Sequence, residues 1–343
     1  MVMLRLAMLG FGNVGRGFAR LLLSRREWLR KTMDLDVEVR AIATRTRGSL
    51  MSSEALNLER VLKAIESEGM LSGYGAESTD LSPIEIVEDC DADIMVELTP
   101  LNIDTGQPAI RHIEAAMGRG MHVVTANKGP VAYAYDELRS LARTMGVQFR
   151  FEGTVMDGTP VFSLVERTLP GCEVMGIRGI VNSTSNFVLT EMSRGKSMEE
   201  AIGEARALGI TEEDPSMDIN GWDAAAKITA LANVLMDAHS NPKRVDRTGI
   251  RDVDPESLRR AASWGTKFKL IASAEKAGGN VRTAVKPEPI GPDSPFWSVD
   301  GTSGAITIRT DLLGELTIIE RNPTIMQTAY AIYSDMLIIS ETL

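Results

Sequence analysis

The stretch GITEEDPSMDINGWDAAAKITALANVL, residues 209–235, gathers five acidic residues between Glu212 and Asp223 and then sets one lysine, Lys227, in an apolar run. On a helix starting near residue 219, Asp223 and Lys227 stand four positions apart and share a face. The neighbours Ala224, Ala225, Ala226, Ile228 and Ala230 make a poor solvated surface, so the pair is expected to point into a crevice. A desolvated lysine can exchange a proton with a carbinol or carbonyl oxygen, and Asp223 would hold it in place. The alternative is an ordinary surface ion pair worth about a few tenths of a kcal/mol.

The upstream acids need another partner. Glu212 and Asp218 suit a substrate carrying an α-ammonium group, which two carboxylates would pair with. A divalent metal is the rival, although acidic spacings of this kind are not diagnostic. A solvated acidic loop is the third reading, and it is the one expected for Glu213 and Asp214. Zinc is not expected, because His112, His122 and His239 lack ligand spacing.

A second constellation lies at the start of the chain. LRLAMLGFGNVG places Gly10, Gly12 and Gly15, with Asn13 and Val14 between them, after a strand-like run and before a helical one. In that context the glycines allow a tight turn and close backbone approach, and the helix N-terminus faces a pyrophosphate. A dinucleotide site that prefers NAD usually ends its second strand with an acid for the ribose 2′-hydroxyl. Here AIATRTRG offers Thr44, Arg45 and Arg47 instead. NADP is therefore favoured with Arg45 as its leading contact, and NAD remains open. ELTP (97–100) and TANKGP (125–130) end later strands at the same sheet edge, and Lys128 is out of place there as a purely structural residue.

These residues need a frame to hold them. Strand-like runs at 4–9, 37–44, 92–99 and 122–126 alternate with helical stretches such as 14–23, the signature of a doubly wound parallel sheet of Rossmann type. A polar, partly helical insertion spans 48–80. The pattern changes near 151, with strands at 174–182, 280–287, 304–310 and 316–320 and helices at 185–193, 197–208 and 218–237. The fold class expected is α/β, with a Rossmann domain over 1–150 and a mixed α/β substrate and dimerisation domain over 151–321. A C-terminal helix within 322–343 should pack back on the first domain.

Composition narrows the function classes. The 343 residues carry a formal charge of −10 with 43% hydrophobic and 24% charged residues, which is ordinary for a globular protein and lacks a nucleic-acid binder's basic stripe. MVMLRLAMLG is too short for a membrane span and runs into the glycine turn, and the two cysteines form no CxxC pair, so the cytoplasm is the expected compartment. No nucleic acid or membrane partner is expected.

The run Ala205-x3-Gly209-Ile210-Thr211-x2-Asp214-Pro215-x2-Asp218-Ile219-x-Gly221-x-Asp223-x3-Lys227 resembles the signature of the homoserine dehydrogenase family. GFGNVG, ELTP, TANKGP, EGTVMDGTP and GIVNSTSNFVL extend the resemblance over nearly the whole chain. It implies NAD(P)-dependent interconversion of aspartate β-semialdehyde and L-homoserine, a small-molecule substrate and a short form lacking a C-terminal regulatory domain. By the same resemblance Lys227 and Lys128 serve proton transfer and carbonyl polarisation, while Asp223, Glu212, Asp218 and Thr184 shape the substrate pocket. The resemblance also implies that Thr99 and Pro100 would lie along the nicotinamide ribose, and that a monovalent cation would be held by Glu152 with the backbone of Val155, Asp157 and Thr159. A homodimer is expected through strands of the second domain.

Three spots depart from the family pattern. Met156 and Asp157 stand where glycines are usual, Asn182-Ser183-Thr184 replaces Asn-Gly-Thr, and ERNPT (320–324) replaces a Gly-Ala-Gly loop. Two other readings therefore stay open: a related oxidoreductase acting on a different amino- or hydroxy-acid semialdehyde, and a non-catalytic NADP-binding protein.

Overall fold

The computed structural model describes residues 1–71, 74–75 and 77–343; residues 72, 73 and 76 of the 48–80 insertion lie outside them. The chain divides into two units, Met1–Pro160 with Thr324–Leu343, and Val161–Pro323.

The first unit holds a sheet of β1 (Val2–Leu9), β2 (Leu35–Ala43), β3 (Ser49–Met51), β4 (Ser78–Thr79), β5 (Ile94–Glu97), β6 (His122–Thr125) and β7 (Phe149–Arg150). Their spatial order is β4-β3-β2-β1-β5-β6-β7. The pairings from β2 through β7 are parallel, whereas β3 and β4 add an antiparallel edge supplied by the insertion. Strand β1 is central, and its alternation feeds two cores. Leu4, Leu6 and Met8 enter one, Ala7 and Leu9 the other. A strand buried on both faces reads as an unbroken apolar run, which is why LRLAML was recognisable.

Helices α1 (Asn13–Thr32), α2 (Leu58–Glu68), α3 (Pro83–Asp89), α4 (Ala109–Gly118) and α5 (Lys128–Met145) belong to this unit. Lys128, expected at a strand end, instead opens α5, with Asn127 as its N-cap. The first core is completed from far along the chain. Ile332, Tyr333, Met336 and Ile339 pack with Phe18, Leu22 and Leu29 of α1. The two helices cross closely enough that a Cβ on Gly17 would lie 3.2 Å from Ala329 Cβ.

The second unit begins with α6 (Val161–Thr168) and holds β8 (Val174–Ile180), α7 (Ser183–Ser193), α8 (Met198–Ala207), α9 (Ser216–Ile219) and α10 (Trp222–Met236). It continues through β9 (Asp246–Arg247), α11 (Pro255–Ser263), β10 (Lys267–Ala277), β11 (Asn280–Ile290), β12 (Gly304–Thr310) and β13 (Glu315–Glu320). The strand order is β13-β12-β8-β10-β11-β9, antiparallel except where β11 meets β9. The chain then returns to the first unit as α12 (Ile325–Ser340).

Two sequence expectations change here. The single helix over 218–237 is broken into α9 and α10, because Gly221 takes a left-handed φ of 77° between them. Strand β10 was not foreseen: KFKLIASAEKA is rich in Ala, Lys and Glu, and its short apolar run has no strand-specific period. Within β10, Lys269 is only 1% exposed, and its ammonium donates to Asn186 Oδ1 at 3.0 Å and Asp300 Oδ1 at 2.8 Å. Burial lowers the Lys269 pKa, and the Asp300 carboxylate partly offsets that shift.

The return of α12 also locks the loop after β7. A Cβ on Gly158 would stand 2.4 Å from the backbone oxygen of Gln327, and backbone cannot swing aside as a side chain can. Gly158→Ala is therefore expected to cost about 1–3 kcal/mol, as overpacking does, read as a lower midpoint in urea denaturation. An unchanged midpoint would show that this contact relaxes freely.

Candidate active site

The glycine turn is built by contact with the end of β5. Gly10 has a φ of 100°, and a Cβ there would meet Leu98 O at 2.5 Å, so only glycine fits. A Cβ on Gly15 would reach Gly10 O at 2.9 Å, which ties the first turn of α1 to the loop. Gly12 differs: it is the N-cap of α1, has no side-chain cap, and faces open space within 4 Å. The first turn holds no acid. An uncapped helix N-terminus beside open space is suited to an anion.

Nearby groups fit the same purpose. Asn13 opens α1 and its Oδ1 accepts from Arg16 Nη2 at 2.5 Å, while the buried Nε of Arg16 has no hydrogen-bond partner among the described residues. Val14 is partly buried against the first core. The features that a dinucleotide pyrophosphate requires are thus present. Arg45 is exposed in the loop after β2, which Thr44 tightens by donating to Gly48 O at 2.7 Å and accepting from Arg47 N at 2.9 Å.

Thr99 and Pro100 follow β5, where the Thr99 N–H donates to Glu97 Oε1 at 2.7 Å and its hydroxyl donates to the same oxygen. Asn127 donates to Thr99 O at 2.9 Å and accepts Gly129 N–H at 3.0 Å, so the Thr99 turn and the start of α5 with Lys128 are fastened together. Asn127, Glu97 and its partner His112 were not singled out in the sequence. Their pairings span up to 28 residues and leave no local pattern.

In the second unit, three of the expected residues meet. Lys227 Nζ lies 3.1 Å from Asp223 Oδ2 and donates to Val181 O at 2.8 Å. The side chains are 17% and 14% exposed, so the surface-pair alternative does not describe them. Asp218 joins from α9 through Asn182, whose amide donates to Asp218 Oδ1 at 2.7 Å and to Asp223 Oδ2 at 2.9 Å. Asn182 also caps α7. It had been noted only beside an altered glycine, and its bridging role is the main addition.

Burial, and next the Asp223 charge, push the Asp218 pKa above the usual carboxylate range, against hydrogen bonds from Asn182 and Thr184 and the Lys227 charge. Thr184 is buried in the first turn of α7, 3.5 Å from Ile210 O. Glu212 stands exposed in the loop before α9, as do Glu213 and Asp214. Asp214 accepts Ser216 N–H at 3.0 Å, and that backbone bond lowers its pKa.

The proposed cation residues lie in a 3₁₀ turn, Glu152–Thr154, and the loop after it. Glu152 and Val155 are buried, and the Glu152 N–H donates to Asp335 Oδ2 at 2.9 Å. Thr328 donates to Asp157 Oδ1 at 3.0 Å, and Thr159 N–H to Met156 O at 2.9 Å. Met156, Asp157 and Asn322 take φ values of 51°, 52° and 45°. Left-handed backbone is thus adopted by larger residues both at 156–157 and in the 320–324 segment.

Comparison with known proteins agrees with both units. The model of the family described as homoserine dehydrogenase matches residues 160–337, and that of the homoserine dehydrogenase NAD binding domain matches residues 10–152. A homoserine dehydrogenase of Methanocaldococcus jannaschii is 38% identical over 96% of each chain. An NAD(+)-dependent homoserine dehydrogenase of Pseudomonas canavaninivorans is 34% identical, over 98% of this chain and 96% of that one. Among solved structures, a hyperthermophilic archaeal homoserine dehydrogenase in complex with NADPH superposes with a TM-score of 0.85 at 32% identity, covering 100% of this chain and 99% of the other. Taken with the glycine turn and the acid–lysine cluster, these matches show that the chain belongs to the homoserine dehydrogenase family.

Proposed function

We propose that this protein interconverts aspartate β-semialdehyde and L-homoserine with NADP as the preferred dinucleotide. The observation that carries this reading is the Lys227 ammonium, held between Asp223 and the Val181 carbonyl in a cluster that also contains Asp218. The bound dinucleotide supplies or accepts the hydride. The protein then has to orient the substrate, move one proton and match its charges.

Lys227 is assigned the proton that joins or leaves the substrate's terminal oxygen, a role worth typically about 10²–10⁴ in rate. Asp223 fixes the direction of that ammonium. Asp218 and Asp223 pair with the α-ammonium, whose positive charge would relieve the repulsion between them. Thr184 and Glu212 complete the substrate contacts, and Lys128, in the first turn of α5, is the second candidate for carbonyl polarisation.

For the cofactor, the residues assigned are Gly10, Gly12, Asn13, Val14 and Gly15 at the pyrophosphate, Arg45 at the 2′-phosphate, and Thr99 and Pro100 near the nicotinamide ribose. Glu152 and the backbone oxygens of Val155, Asp157 and Thr159 form an all-oxygen donor set, which suits a hard monovalent cation. The same reading includes a homodimer in the cytoplasm, which sedimentation would register as twice the 37.3 kDa chain. Among the described residues no helix is long and apolar enough to cross a membrane.

The deciding experiment is L-homoserine oxidation by the purified protein, with NADP and NAD compared. Turnover on other semialdehyde-derived alcohols but not on homoserine would favour the related oxidoreductase instead. Lys227→Met is expected to lower kcat by about 10³-fold or more while NADP binding stays within about twofold. Retained turnover would move the proton-transfer role to Lys128. Arg45→Ala should weaken NADP by roughly 10–100-fold, the worth of a charge-assisted hydrogen bond, with little effect on NAD. Equal losses for both would remove Arg45 from the phosphate site.

Asp218→Asn should separate stability from activity. The Asp218 pKa is raised by folding, so its favourable contribution is complete below the ordinary value of 3.8 and is lost as pH climbs through the folded value. At neutral pH the variant is therefore expected to melt higher than the parent, with that gain vanishing below about pH 4. Its kcat/KM for homoserine should fall by roughly tenfold or more. A lower Tm at neutral pH would contradict this assignment.

A further inference from the structure

Glu97 is the last residue of β5, fully buried at 0% exposure between β1 and β6. One carboxylate oxygen receives both the backbone N–H and the hydroxyl of Thr99. The other lies 2.8 Å from Nδ1 of His112 on α4, itself 4% exposed. The backbone carbonyl of Glu97 accepts the Thr125 hydroxyl at 2.9 Å, and Thr125 Oγ1 in turn accepts Asn127 N–H at 2.9 Å. Asn127 closes the ring by donating to Thr99 O and capping α5 at Gly129.

A buried carboxylate–imidazole pair is a poor device for stability alone, since apolar side chains of similar volume often serve as well or better. What apolar groups cannot do is fix a neighbouring backbone N–H and hydroxyl in one orientation. We propose that Glu97 and His112 are positioning residues. Through Thr99 on one side and Thr125 and Asn127 on the other, they hold the Thr99–Pro100 turn and the first turn of α5 in the conformation that receives the nicotinamide end of the dinucleotide. The inference rests on the dehydrogenase reading above. It adds two residues that touch neither cofactor nor substrate in that reading.

The test compares Glu97→Gln, His112→Leu and His112→Asn with the parent, all at a temperature where circular dichroism shows them folded. The Asn amide nitrogen can replace ring Nδ1 as a hydrogen-bonding partner, whereas Leu cannot. The main readout is affinity for NADP relative to its adenine half, 2′,5′-ADP (NAD relative to ADP if NAD is the preferred cofactor). Glu97→Gln and His112→Leu should weaken the whole dinucleotide by about tenfold while leaving the adenine half within about twofold. Their kcat should fall by roughly 10–100-fold with the homoserine KM little changed, as a small misplacement produces. His112→Asn should recover most of both losses.

An unchanged affinity ratio in Glu97→Gln and His112→Leu overturns the proposal whatever kcat does, because general destabilisation would weaken both ligands alike. If the parent protein fails to oxidise homoserine, the substrate assignment falls, and the affinity ratio still decides the role of Glu97 and His112.

Discussion

The constraint on which the first unit's binding edge depends is a contact between two stretches of backbone. At Gly10 the chain passes so near Leu98 that no side chain fits between them. That approach joins the end of β1 to the end of β5 at the point where the parallel strands turn away to opposite sides, the usual binding edge of such sheets. It also brings the uncapped start of α1 and the Thr99 turn to the same sheet edge. A residue larger than glycine at position 10 would push these apart together, so the loop, the helix N-terminus and the turn after β5 behave as one structural feature.

The second unit solves a different problem, that of keeping two carboxylates and an ammonium in a poorly hydrated place. The Asn182 amide donates to both acids, and Lys227 neutralises only one charge of the pair. The arrangement is therefore strained toward protonation of Asp218, and an arriving cationic group would relax it. On the proposed reading, such a site would favour a ligand with an ammonium over one without by leaving charge unsatisfied in the latter case. No nucleophile is needed for hydride chemistry, which agrees with a cluster of acids, an amide and a lysine flanked by the Thr184 and Thr211 hydroxyls.

Legibility in the sequence followed the range of each interaction. The glycine turn, β1, β2 and the pairing of Asp223 with Lys227 each leave a pattern within a few residues of sequence, and that spacing was readable. Strand β10 was not, because its pairing with β8 and β11 overrides helix-forming residues. The break at Gly221 was hidden inside an otherwise helical run. Asn182 bridges partners 36 and 41 residues away, and Glu97 joins its neighbour Thr99 to His112, 15 residues on, a connection that no local pattern encodes. The altered glycine positions give the opposite lesson. Met156 and Asp157 keep left-handed backbone at a cost of about 1–2 kcal/mol for such a residue, so the loop shape is set by its surroundings rather than by glycine.

The division of the chain also orders events during synthesis. The first unit needs α12, whose Ile332, Tyr333, Met336 and Ile339 fill its core beside α1, and α12 is translated after every residue of the second unit. Domains generally fold as they leave the ribosome, the N-terminal one first. Here that order is inverted in part: the 163-residue span from Val161 to Pro323 is available in full before the cofactor unit has its last core helix. Until then the part of α1 that α12 covers lacks its partner, the kind of transiently unfilled apolar surface that chaperones exist to shield.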